Sequence, residues 1–240
     1  MSTVVLVHGA AMDSTVWRYQ ADALTRAGFT SIAVDLPGHG GSEGEPSSSA
    51  KGYAGWLLVY LSLLGEPVHL VGHSLGALVV LEAVAARPDF VRSVTLVGVS
   101  DRMPVNPDLL AGAAEDDLSM FATMGKWMHA RDPVGDPEWT VDDTVDILQR
   151  ARPGVAHADL TACNTYPGAA TVAAGISVPI LLILGEQDLM TKPTAAEPIA
   201  AAAEDATTVI VKGAGHLMPV ERPDAVNEAL VGFLEKVDGK

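Results

Sequence analysis

The sequence is poor in cysteine and in basic residues, and it has no long apolar run. Its single cysteine, Cys163, excludes an intramolecular disulfide and a zinc site built from several cysteines. Lysine and arginine together number 15 against 30 aspartates and glutamates, giving a formal net charge of −15 at pH 7. A nucleic-acid binder needs a basic face to neutralise phosphates, so this balance argues against one. It also disfavours attraction to anionic lipid. No apolar stretch reaches the roughly 18–20 residues needed to cross a bilayer, so membrane insertion is not expected. No basic segment followed by an apolar run and a cleavage site opens the sequence, and the expected location is the cytoplasm.

What is present is a well-buried globular chain. Hydrophobic residues make up 48% of 240 residues, enough for one sizeable core. Six short, β-branched apolar runs stand out: 3–9, 30–38, 68–74, 92–99, 178–188 and 206–216. Most are continuous rather than alternating, as in strands buried on both faces of a parallel sheet. Helical patterns separate them, around 15–27, 51–64, 75–87, 193–203 and 223–236. The alternation predicts an α/β fold with a doubly wound, mostly parallel sheet of about six strands, its helices covering both faces. Right-handed crossovers then bring the C-terminal ends of the strands to one edge, where sites form in such folds.

Residues 100–174 break the alternation. They contain short helical stretches separated by Pro and Gly ("MPVNPDLL", "RDPVGDPEWT", "RPGVAHADL"). The expected division is therefore a core of 1–99 and 175–240, with 100–174 as a helical cap over the strand ends. The Ser-rich stretch 40–52 reads as a surface loop.

The strand 68–74 ends in Gly72-His73-Ser74-Leu75-Gly76, and a helical pattern follows at once. A nucleophile on such a tight turn needs small residues two positions either side, and Gly72 and Gly76 meet that need. The following helix directs free N–H groups and a partial positive charge at the same spot. A serine hydroxyl still needs a base, and the base an orienting acid. Asp188 follows the run "LLILGEQD", and His216 follows "VIVKGAGH". The expected triad is Ser74, Asp188 and His216, all from strand ends. Asp101, after the strand 92–99, is a rival for the acid, and Glu186 sits too early on its strand end. His8 and His39 lie in Gly-rich loops, His69 within a strand, and His129 and His157 in the insertion. His73 adjoins the serine but should point away from it, in a structural role. The oxyanion donors are expected to be the backbone N–H groups of Leu75 and Ala10.

The motifs "HGAAMDSTVW", "DLPGHGGS", "VGHSLGA", "LGEQD" and "GAGHLMPVERP" occur in this order, and with them the sequence closely resembles the α/β-hydrolase fold superfamily. The resemblance covers almost the whole chain outside the insertion. It implies helices on both faces of the sheet, a cap inserted after the strand that follows the nucleophile helix, and no cofactor. Many members carry a hairpin ahead of the first strand seen here, and this sequence begins without it. Haloalkane dehalogenases and epoxide hydrolases of this fold use aspartate at the elbow. Serine there favours hydrolysis of carboxylic esters through an acyl-serine. Carbon–carbon bond hydrolases and hydroxynitrile lyases keep the same three residues and stay open as alternatives, as does a slow-turnover, receptor-like ligand binder.

In the insertion, Met120, Met124 and Met128 recur on one helical face, flanked by Phe121 and Trp127. Met120, Met124, Trp127, Met190 and Met218 are the expected lining of an apolar pocket. No Arg or Lys cluster lies near the motifs, so the expected substrates are small to medium, largely uncharged esters. Cys163 is expected to be a buried cap residue. No metal site is expected, and the chain is expected to act as a monomer or homodimer.

Overall fold

The computed structural model describes residues 1–117, 119–132 and 138–240. Residues 133–137, the centre of the Pro/Gly break in "RDPVGDPEWT", lie outside the described residues.

Six strands form one sheet: β1 Thr3–Val7, β2 Thr30–Val34, β3 Val68–His73, β4 Val91–Val97, β5 Ile180–Gly185 and β6 Ala206–Val211. Their order is β2-β1-β3-β4-β5-β6, and every neighbouring pair is parallel. The continuous apolar runs of β1, β3 and β5 are buried at every position. The two edge strands carry more polar residues, TSIAV and ATTVIV, and are only partly covered. Burial on both faces is what a parallel sheet with helices on each side demands of its central strands.

The helices follow in chain order. They are α1 Arg18–Arg26, α2 Ala50–Leu64 and α3 Leu75–Ala86, then α4 Pro107–Ala114, α5 Ser119–Met128, α6 Val141–Leu148, α7 Val155–Asn164 and α8 Ala169–Ala173 between β4 and β5. The last three are α9 Glu197–Ala202, α10 Met218–Glu221 and α11 Pro223–Asp238. The pattern read at 193–203 divides into a 3-10 turn, Pro193–Ala196, and α9. The short α10 was not expected.

Helices α1 and α11 pack together on one face of the sheet, and α2, α3 and α8 pack together on the other. Helix α3 is apolar all round, and Leu75 through Val84 are all buried. A helix of that kind belongs inside a fold rather than on its surface.

The register decides where the strand ends fall. Val7 pairs with Gly72, His73 with Val97, Val97 with Ile183, and Gly185 with Val211. The C-terminal ends of β1, β3, β4, β5 and β6 therefore stand in one row. The loops that follow them gather at that edge, and residues of α4, α5 and α7 reach it.

Candidate active site at the C-terminal edge of the sheet

Ser74 is the single residue between β3 and α3, and it is held at φ 53°, ψ −116°. A residue with a side chain rarely adopts positive φ, so the surroundings must enforce it. The two elbow glycines show how. A Cβ on Gly72 would lie 2.2 Å from the Gly76 carbonyl oxygen, and one on Gly76 would lie 2.3 Å from the Val7 carbonyl oxygen. Neither side chain can be accommodated without moving backbone. The turn is thus packed tightly between α3 and the end of β1, and Ser74 is left half-buried at its crest.

Asp188 lies three residues beyond the end of β5, and His216 in the loop after β6. His216 Nδ1 is 2.8 Å from Asp188 Oδ2. A carboxylate oxygen accepts, so Nδ1 carries the proton and Nε2 is left with its lone pair. Asp188 also accepts from the Met190 and Thr191 backbone N–H groups, each at 2.8 Å, and from the Thr191 hydroxyl at 2.7 Å. Burial alone would push this carboxyl up. His216 beside it and the bonds from Thr191 outweigh that and hold it below the usual carboxylate range. Asp188 and His216 are each 2% exposed. The Thr191 hydroxyl also stands 3.1 Å from His216 Nδ1. Sequence reading missed Thr191. Its signal was its position, three residues after Asp188, where a hydroxyl can return to the same carboxylate. Among the described residues, no hydrogen bond yet joins Ser74 Oγ to His216.

The rival carboxylates are occupied elsewhere. Asp101 accepts the Ala170 N–H at 2.8 Å and so caps α8. Glu186 accepts the Gly213 N–H at 2.9 Å. Glu221, which sequence reading did not weigh, takes the Ala130 and Gly215 N–H groups at 2.6 and 2.8 Å. The end of α5 is bound to the His216 loop a second way, because the His216 and Leu217 N–H groups both donate to the Met128 carbonyl.

The other histidines are structural in their contacts. His73 Nε2 lies 2.9 Å from the His216 carbonyl oxygen and donates to it. Burial, with His216 close by, pulls the His73 ring down to about 3, so it is neutral. His8 Nε2 accepts the Leu36 N–H at 3.1 Å, and burial holds that ring at about 4. His129 contacts Thr144 Oγ1 at 2.8 Å and is held at about 4 by burial.

Ser74, His216, Ala10 and Thr191 open on a cavity of about 200 Å³. Of the expected lining residues, Met124, Trp127 and Met190 reach it. Met120 and Met218 do not, which corrects that part of the reading. Met120 sits in the first turn of α5, a full turn before Met124, and faces a separate pocket with Ala113, Phe121 and Ala156. Met218 opens α10 and is fully buried. Residues that sequence reading did not assign complete the wall, chiefly Met103, Leu109, Met128, Leu160 and Leu189. Cys163 is buried as expected and also lines the cavity. Its thiol is pushed well above the usual range by burial, which disfavours the thiolate. Among the described residues, no Asp, Glu, Lys or Arg lines the cavity, and no group of three His, Cys, Asp or Glu side chains is placed to hold a metal ion. Trp127 and Leu189, each 38% exposed, stand at the mouth.

A second Ser-His-Asp group lies at the opposite end of β3. Ser93 Oγ is 2.8 Å from His69 Nδ1, and His69 Nε2 is 3.2 Å from Asp238 Oδ1. Ser93 and His69 have no exposed surface. Burial lowers the His69 ring below its usual value despite the neighbouring Asp238. The ring is neutral, donating to the carboxylate and accepting the serine O–H. This group joins the C-terminal end of α11 to the starts of β3 and β4.

A parallel α/β sheet with a serine at a strand–helix elbow and an Asp–His pair on neighbouring strand ends defines a class of fold, and comparison with known proteins agrees. The model of the alpha/beta hydrolase family matches residues 4–229, and the chain belongs to that family. It is 28% identical over 250 residues to an uncharacterized carboxylesterase, nap, of Bacillus subtilis, covering 98% of this chain and 80% of that one. It is 23% identical to an (E)-2-((N-methylformamido)methylene)succinate hydrolase of Acinetobacter baylyi, over 97% of this chain and 90% of the other. Among solved structures, a thermophilic esterase from Thermogutta terrifontis superposes with a TM-score of 0.89 at 24% identity, covering 99% of this chain and 90% of that one. Among the described residues, no helix is long and apolar enough to cross a membrane.

Proposed function

We propose that this hydrolase cleaves small to medium, largely uncharged carboxylic esters through an acyl-serine intermediate, with Ser74 as nucleophile, His216 as base and Asp188 as the orienting acid. The observation that carries the reading is the buried 2.8 Å Asp188–His216 pair, whose His216 lines the same cavity as the strained Ser74. In this reading His216 Nε2 takes the proton of Ser74 as Oγ attacks the ester carbonyl. It then returns that proton to the departing alcohol, and a water repeats the sequence to release the acid. Asp188 keeps the imidazole in the tautomer with Nδ1 protonated and stabilises the imidazolium that forms. Thr191 holds Asp188 in place.

The tetrahedral oxyanion is assigned to the backbone N–H groups of Ala10 and Leu75. Leu75 opens α3, so its N–H has no acceptor within the helix. Ala10 lies at the cavity wall beside it. Donors of this kind, already oriented toward the developing charge, are each worth about 10²- to 10³-fold in kcat.

The substrate class follows from the wall. An apolar cavity of about 200 Å³ suits a short acyl or aryl group and offers no cation to an anionic one. In this reading residues 100–174 act as a cap, which is supported by Met124, Leu160 and Cys163 of this segment lining the cavity that Ser74 opens on. The carboxylesterase relative supports ester chemistry. The test is turnover of p-nitrophenyl esters of increasing acyl length, with fluorophosphonate labelling of Ser74. Activity that peaks at short to medium chains and vanishes with labelling in Ser74→Ala is expected. Labelling that survives in Ser74→Ala overturns the assignment, and activity confined to vinylogous diketones or cyanohydrins overturns the ester reading.

A further inference from the structure

Asp159 is a buried carboxylate that the mechanism above does not use. It lies on α7 with no exposed surface. Its Oδ2 accepts the Ala11 backbone N–H at 2.8 Å and contacts His39 Nε2 at 2.7 Å. Its Oδ1 accepts the Tyr53 hydroxyl at 2.5 Å. Four parts of the chain meet on this one side chain: the loop after β1, the loop after β2, helix α2 and helix α7.

The His39 ring faces acceptors on both sides. Nδ1 is 3.1 Å from the Pro37 carbonyl oxygen, and Nε2 faces the Asp159 carboxylate. A carbonyl only accepts, so Nδ1 carries a proton, and the Asp159 carboxyl beside Nε2 favours a second proton there. The cluster pairs a buried imidazole with a buried carboxyl. The bonds to Asp159 raise the His39 ring above its usual value even though burial opposes this.

Ala11 is held at φ 55°, a conformation that residues with side chains rarely adopt. Its N–H is spent on Asp159, so it does not compete for the cavity. The next residue back is Ala10. Helix α7 reaches the cavity itself through Leu160 and Cys163, one and four residues beyond Asp159. The same helix that walls the cavity therefore grips the loop beside the nucleophile.

We infer that Asp159 is a positioning residue for catalysis: by binding the Ala11 N–H from the cap, it sets the backbone of the loop after β1 so that the Ala10 N–H points at the oxyanion. The inference rests on the assignment of Ala10 as an oxyanion donor. It makes rate, and not substrate binding alone, depend on a contact between the cap and the core. A loop displaced by about 1 Å costs up to roughly 100-fold in rate.

The test compares Asp159→Asn with Tyr53→Phe in the full chain. Tyr53→Phe removes a hydrogen bond to Oδ1 and leaves Oδ2 with Ala11 and His39. Asp159→Asn is expected to lower kcat by about 10- to 100-fold with KM within about 3-fold, and Tyr53→Phe to keep kcat within about 3-fold of the parent. Wild-type kcat in folded Asp159→Asn overturns the inference. So does an equal loss in both variants, which would make the carboxylate a mere prop of the fold. Amide hydrogen exchange separates this from the ester reading. In the unmodified protein the Ala11 N–H should exchange as slowly as the core of β3, and faster in Asp159→Asn. Fast exchange in the unmodified protein overturns the tether whether or not any ester is turned over, and whether or not the variant folds.

Discussion

The two ends of β3 carry the same three residue types in opposite surroundings. At the C-terminal end, Ser74 stands on a strained turn, and His216, paired with Asp188, opens on a cavity. At the N-terminal end, Ser93, His69 and Asp238 are hydrogen-bonded in a row with Ser93 and His69 fully enclosed. The enclosed group has the serine–imidazole bond that the open group lacks among the described residues. In the proposed reading, hydrogen bonding of a serine to a histidine is therefore not what marks the nucleophile. Space for a substrate, free backbone N–H groups at a helix start, and an acid aimed at Nδ1 are what differ. At the enclosed end the carboxylate meets Nε2 and the serine meets Nδ1, whereas at the open end the carboxylate meets Nδ1.

The comparison predicts that variants at the open end change rate and variants at the enclosed end change stability. The largest effect is expected from Ser74→Ala, a loss of about 10⁶-fold in kcat on a short-chain aryl ester. Its unfolding free energy should move by less than about 1 kcal/mol in a urea titration. Asp188→Asn should cost about 10⁴-fold in kcat by favouring the wrong tautomer of His216. Asp101→Asn, which touches only the cap of α8, should leave kcat near the parent value. The reverse pair of results would transfer the acid role to Asp101.

Acid should weaken the whole fold. His8, His73 and His129 are held at about 4, 3 and 4, against 6.5 in an unfolded chain. Between pH 6.5 and about 4 the unfolded chain binds protons that these buried rings refuse, so stability falls as pH falls, by up to about 1.4 kcal/mol per pH unit for each ring. His39 works the other way. Its raised value adds stability below pH 6.5, and that gain is lost as pH rises through its folded value. Thermal melts should show a falling Tm from pH 6.5 to 4, and a flat profile there would contradict the buried neutral rings. The smallest effect is expected from Ser93→Ala. It leaves His69 Nδ1 without a partner and should cost about 1–3 kcal/mol in the urea titration, with kcat unchanged.

Much of the fold was legible in the sequence. All six strands occur where continuous β-branched runs predict them, because central parallel strands must be apolar on both faces. The elbow was legible for a steric reason, since Gly72 and Gly76 face backbone at 2.2–2.3 Å and no other residue fits. The pocket was less legible. A stripe of methionines at four-residue spacing says which side chains share a helix face, but not which turn of that helix reaches the cavity. Met124 reaches it and Met120 does not.

The sequence by itself determined the strand order of its chemistry: a serine after the third strand, an aspartate after the fifth and a histidine after the sixth. Local patterns of apolarity and small residues suffice for that. Only the tertiary structure decided which partners each group meets. Asp188 meets His216 and Thr191, Asp101 meets α8, and Asp159 crosses from α7 to Ala11 and His39. A buried carboxylate must find donors within about 3 Å, and those donors come from segments that the chain brings together only when the core closes.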